Sequence, residues 1–129
     1  MSDQLATIRI KNLRLRAYIG IKDEEQANRQ DVLVNVVIKC DAGAAITDND
    51  ISSALNYRTI CKALIQFVED NRFELLERMT HDALALVMEN PQALRAEVEI
   101  DKVGALRYSD SVSISFVGVR DAAGEPWRG

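Results

Sequence analysis

The residues able to do chemistry in this chain are of few kinds. It has one histidine, His81, and two isolated cysteines, Cys40 and Cys61. No CxxC pair, HExxH, GxGxxG, P-loop or GxSxG elbow occurs, so the usual zinc constellations cannot be assembled. Any catalysis has to come from carboxylates, Lys, Tyr or Arg, or from the electronics of the substrate itself. Each such residue also has an ordinary reading. Glu25 closes the acidic run Asp23-Glu24-Glu25, which alone is a solvated loop. Tyr57 stands where a helix opens and can simply pack on the core. Glu77 lies early in a second helix, where the macrodipole favours a carboxylate. Lys102 directly follows an alternating strand, so its amine can project at the strand end as a general acid or base, or be merely solvated.

The elements that must position these groups follow from periodicity. Residues 6–19 alternate, but the parity changes: Ile8 and Ile10 are apolar on even positions, and Leu13, Leu15, Ala17 and Ile19 on odd ones. One extra residue near Lys11-Asn12 restores a common face, which predicts a β-bulge. Residues 30–40 form a second strand with Val32, Val34, Val36, Ile38 and Cys40 on one face. A polar connection over 23–29 makes the two an antiparallel pair. Residues 41–53 read as loop. Asn56 is a candidate N-cap for a helix carrying Ile60, Leu64, Phe67 and Val68. Asp70-Asn71-Arg72 breaks that pattern. A second helix carries Leu75, Leu76, Met79, Ala83, Leu84 and Val87, and Pro91 bars its extension. Strands follow over 93–101 and 112–119. The order β-β-α-α-β-β predicts an α+β fold, a four-stranded antiparallel sheet with two helices on one face.

A length of 129 residues suits one domain, expected over 1–120, with 121–129 as a loose tail. Sixteen Lys+Arg against 20 Asp+Glu leave a net charge of −4, without the basic excess of a nucleic-acid binder. Met1-Ser2-Asp3-Gln4 lacks the start of a signal peptide, and no apolar run nears the roughly 18 residues of a membrane span. A cytoplasmic protein without membrane or nucleic-acid partners is expected, with both cysteines reduced and structural. Arg14 and Arg16 on the first strand, and Glu97 and Glu99 on the third, oppose the apolar parity. They mark either a solvated face or the lining of a water-filled barrel closed by several subunits.

Four stretches, in this order, resemble the dihydroneopterin aldolase family. They are Tyr18-Ile19-Gly20-Ile21 followed by Glu25, Ala54-Leu55-Asn56-Tyr57, Phe73-Glu74-Leu75-Leu76-Glu77, and Val98-Glu99-Ile100-Asp101-Lys102. The resemblance spans residues 6–120. Residues 8–16, 54–59 and 105–113, the last including Arg107-Tyr108, are most similar to the branch that inverts C2′ of dihydroneopterin triphosphate.

The resemblance implies the tunnelling fold, in which subunit sheets join into a barrel, often an octamer of two stacked rings, with sites between subunits. Zinc-dependent members of that fold need His or Cys ligands that this chain cannot supply in recognisable form, so a metal-free site without cofactor is expected. By the same resemblance Glu77, with Leu76, anchors the pterin, and Lys102, Glu25 and a neighbouring subunit's Tyr57 handle protons. Charge logic assigns the triphosphate to Arg107, ahead of Arg58 and Arg72. His81 is left as structural or surface. The expected activity is C2′ epimerisation. The alternatives are an aldolase releasing glycolaldehyde, and a non-catalytic pterin-binding module.

Overall fold

A computed structural model describes residues 4–129. Met1-Ser2-Asp3, on which the signal-peptide reading partly rests, lie outside the described residues. In chain order the elements are β1 (Leu5–Ile19), α1 (Asp23–Ala27), β2 (Gln30–Asp41), α2 (Gly43–Asp48), α3 (Tyr57–Asp70), β3 (Arg72–Phe73), α4 (Leu76–Met88), β4 (Arg95–Val103) and β5 (Ser111–Val119).

The four long strands form an antiparallel ladder in the order β1-β2-β4-β5. Alternation fixes which face is buried. Val32, Val34, Val36 and Ile38 of β2 and Ala96, Val98 and Ile100 of β4 lie against Leu64 and Val68 of α3 and Met79, Ala83, Leu84 and Val87 of α4. The bulge in β1 sits where the parity change places it: Ile10 pairs with Val36 and Leu13 with Val34, so Lys11 and Asn12 together oppose Asn35. Asn12 adopts φ 52° and donates its N–H to Asn35 Oδ1 at 2.8 Å. Without that extra residue, one half of β1 would turn its apolar side chains to the wrong face. Asn56 caps α3 as expected, accepting from the N–H groups of Arg58 and Thr59.

The structure corrects four expectations. The sheet has a fifth strand, because Arg72 and Phe73 pair parallel to Tyr18 and Ile19 at the break between the two helices. The connection between β1 and β2 contains the short helix α1, and the loop over 41–53 contains α2 and a 3-10 turn over Ile51–Ser53. Both are too short to show a hydrophobic period. The segment after β5 is not loose. Arg128 bridges to Val119, and Trp127 packs so close to Gly118 that a Cβ there would strike its ring. Arg120 is buried, with its guanidinium donating to the carbonyls of Met88 (2.6 Å), Ala93 (2.7 Å), Asn90 (2.9 Å) and Glu125. Helix ends leave carbonyls without intrahelical partners, and Arg120 supplies a donor for the last one of α4.

The outer face of the sheet carries the opposed charges. Asp31 takes Arg16 at 2.6 Å and Arg14 at 3.1 Å, and Ser113 donates to Glu99 at 2.8 Å. Apart from the Arg128 bridge at Val119, the outer edge of β5, and that of β1 up to Ala17, pair with no other strand among the described residues. Among the described residues no helix is long and apolar enough to cross a membrane.

Candidate active site

Glu25 and Lys102 are 77 residues apart in sequence, yet Lys102 Nζ lies 2.5 Å from Glu25 Oε2. Lys102 follows Ala96, Val98 and Ile100 on the helix-covered face of β4, opposite Val32, so its amine leaves the sheet on the buried side. Glu25 comes from α1 directly beyond β1. Both side chains are largely covered, 17% exposed for Glu25 and 18% for Lys102. The lysine contact holds the Glu25 carboxyl below the usual carboxylate range, against the opposing effect of burial; the Lys22 N–H and Gln30 add to the lowering. The Lys22 N–H donates to Glu25 Oε1 at 3.2 Å. The pair opens onto a pocket of about 360 Å³, whose wall includes Lys22, Gln30, Gly104 and Ala105.

Three hydrogen bonds hold the turn that delivers Glu25. Gln30 Nε2 donates to the Ile19 carbonyl at 2.6 Å, Gln26 Nε2 to the Gly20 carbonyl, and the Gly20 N–H to the Phe73 carbonyl at 3.0 Å. Gly20 has φ 131°, and a Cβ on it would collide with the Glu25 carboxylate. Only glycine satisfies both demands.

The two-residue β3 brings the start of α4 beside this turn, and with it Leu76 and Glu77. Leu76 buries its side chain in the core, so only its backbone can meet a ligand. Glu77 is exposed in the first turn of α4 and pairs with no cation among the described residues. Tyr57 is elsewhere. It is half exposed at the start of α3, in a separate groove of about 760 Å³ with Arg9, Arg58 and Cys61. A single chain therefore does not unite Tyr57 with Glu25 and Lys102.

Arg107 stands on the exposed β4–β5 connection, three residues beyond the pocket-lining Gly104, with its guanidinium 5.3 Å from the Tyr108 ring. Arg72 is already engaged: it stacks 3.8 Å from the Tyr18 ring centroid and donates to the Gln26 carbonyl. Arg29 lies 5.2 Å from the same ring and is the main cause that holds the Tyr18 phenol below its ordinary range. Sequence reading missed Lys22, Gln26 and Gln30. Their signal, polar residues flanking the Gly20 turn, is indistinguishable from ordinary loop composition. His81 is mostly exposed, its ring edge-on to Phe116, and Cys40 is buried while Cys61 is partly so. Among the described residues no three His, Cys, Asp or Glu side chains gather in a metal-binding cluster.

A model of the family described as "FolB: Dihydroneopterin aldolase" matches residues 8–117. A dihydroneopterin triphosphate 2′-epimerase of Pseudomonas aeruginosa is 60% identical over 116 residues, covering 90% of this chain and 94% of that one. A dihydroneopterin aldolase of Haemophilus influenzae is 27% identical over 108 residues, covering 84% and 92%. Among solved structures, a putative dihydroneopterin aldolase from Vibrio cholerae superposes with a TM-score of 0.84 at 25% identity, covering 89% of this chain and 98% of that one. Escherichia coli dihydroneopterin aldolase in complex with neopterin shares the fold, with a TM-score of 0.82 at 23% identity and coverage of 87% and 97%.

Proposed function

The chain belongs to the dihydroneopterin aldolase family, and on that footing we propose that it inverts C2′ of 7,8-dihydroneopterin triphosphate, giving dihydromonapterin triphosphate. The observation that carries this reading is a likeness to a 2′-epimerase far greater than that to an aldolase. The Glu25–Lys102 pair supplies the acid–base groups that such a reaction needs.

The chemistry is a retro-aldol step followed by its reversal. A base takes the proton of the C2′ hydroxyl, and the oxygen's electrons form the aldehyde carbonyl as the C1′–C2′ bond breaks. The bonding pair moves into C1′=C6 while N5 of the pterin's C6=N5 imine gains a proton. The enamine then attacks the other face of the aldehyde and returns that proton, leaving C2′ inverted. Because the pterin imine takes up the electrons, the scheme calls for neither a metal nor a Schiff-base lysine. Glu25, kept ionised by its neighbour, serves as the base, and the Lys102 ammonium as the acid. Glu77 anchors the amino-pyrimidine edge by two parallel N–H···O bonds, which an unpaired carboxylate at a helix start is suited to accept. Leu76 contributes its backbone, and Arg107 reaches for the triphosphate.

Tyr57 completes the site from a neighbouring subunit. The outer edges of β1 up to Ala17 and of β5 short of Val119, which pair with no other strand among the described residues, and the separation of Tyr57 from Glu25 within one chain support a ring of subunits, an octamer of two stacked tetramers in this proposal. A cytoplasmic location accords with a pterin substrate. Product analysis is the test: incubation with the triphosphate should yield the epimer, resolved by chromatography. Glycolaldehyde triphosphate and hydroxymethyldihydropterin without epimer would make the protein an aldolase, and no turnover would make it a binding module. Sedimentation as a fully active monomer would refute the shared site.

A further inference from the structure

The pocket around Glu25 and Lys102 holds one cation that the bond-breaking chemistry does not use. Lys22 lines it and forms no ion pair among the described residues, whereas the Lys102 amine is committed to Glu25 at 2.5 Å. The backbone of Lys22 is fixed beside the reacting pair, since its N–H donates to Glu25 Oε1. From there its flexible four-carbon stem can carry the ammonium across the pocket.

The connectivity of the substrate makes that position matter. Only C3′ and one ester oxygen separate C2′ from the first phosphorus. A pose that brings the C2′ hydroxyl within proton-transfer reach of Glu25, roughly 3 Å, therefore leaves the first phosphate at the same pocket. Arg58 lies in the groove along α3, and Arg72 is held by Tyr18 and Gln26. Glu24 shares the pocket wall with Lys22, so no general positive field attracts the phosphate, and the contact has to be a directed one.

We infer that Lys22 grips the phosphate nearest the sugar-like chain and thereby makes the site select phosphorylated over unphosphorylated dihydroneopterin. The inference rests on the proposed epimerase reading, and names within that site a specificity residue that the shared catalytic set does not include.

The experiment compares kcat/KM for dihydroneopterin triphosphate and for dihydroneopterin in the wild type, Lys22→Met and Lys22→Arg. The ratio of the two values should fall by about tenfold to a hundredfold in Lys22→Met, chiefly through KM for the triphosphate. Lys22→Arg, which keeps the charge, should recover most of it. An unchanged ratio in Lys22→Met overturns the inference. Calorimetric titration with inorganic tripolyphosphate provides a readout without turnover: weaker binding by Lys22→Met than by wild type supports the assignment, and equal binding overturns it. If the wild type fails to convert the triphosphate, the epimerase reading falls, while the tripolyphosphate titration still decides the role of Lys22.

Discussion

Replacing Gly20 by alanine is the most discriminating perturbation of the turn that carries Glu25, because it adds one methyl group and alters no side chain proposed to handle protons. Two costs are separable. The first is backbone strain: φ 131° is a conformation that L side chains rarely adopt, and holding it costs roughly 1–3 kcal/mol. For a domain of this size, that lowers Tm by about 3–12 °C. The second is the collision with the Glu25 carboxylate. That group is the far end of a flexible side chain, so it yields at little cost in stability. In yielding it leaves Lys102, and with it the geometry needed for proton transfer, a loss of about a hundredfold to ten-thousandfold in kcat. The assay is a double-variant cycle in kcat/KM, with Tm followed in parallel. Gly20→Ala and Glu25→Gln should each be severely impaired, and the double variant should be little worse than Glu25→Gln alone, since the methyl group then displaces an amide that cannot serve as the base. Near-wild-type activity in Gly20→Ala, or losses that multiply in the double variant, would refute the reasoning.

Glu25 also makes stability depend on pH. Its folded value is depressed, so its contribution is fully present above the ordinary Glu value of roughly 4.3 and is lost as pH falls through the lower folded value. The Tm gap between wild type and Glu25→Gln should accordingly close on acidification, and a gap constant from neutral to strongly acidic pH would contradict the ion pair. Glu77→Gln keeps the shape but removes the charge, so KM for the pterin should rise by about tenfold to a hundredfold, more than kcat falls, as steady-state kinetics would show. Arg120→Met removes the guanidinium donor from the carbonyls of Met88, Ala93 and Glu125, while Asn90 keeps the Ala93 N–H, and should cost about 2–4 kcal/mol in urea unfolding. A cost below that of an ordinary surface substitution would show that water replaces the guanidinium.

Much of the frame was legible in the order of the residues. The parity change at Lys11-Asn12 located the bulge, Asn56 announced the start of α3, and alternation sorted Val98 and Ile100 from Glu97 and Glu99. These signals are local, and local patterning is what a linear reading can measure. β3 escaped because two residues show no period; its pairing exists only because Tyr18 and Ile19 arrive beside it from another part of the chain. Glu25 and Lys102 could each be singled out by resemblance. Their contact depends on the register that sets Lys102 opposite Val32, and on a glycine turn whose need is visible only when the carboxylate is in place. Arg120 looked like one more charge in a polar ending, since nothing near it in sequence reveals the open helix end that it faces.

The anchoring of α4 by Arg120 has a bearing on the order in which the protein can be completed during synthesis. The helix is made well before the residue that satisfies its last carbonyl, and that residue follows directly on β5, the final strand of the sheet. A nascent chain lacking Arg120 can pair β1 with β2 and assemble both long helices, yet it must leave the end of α4 to water. Closure of that end needs a residue that is made last of these, directly after β5, so chains stopped short of Arg120 should be cut more readily at the α4–β4 junction than the full chain.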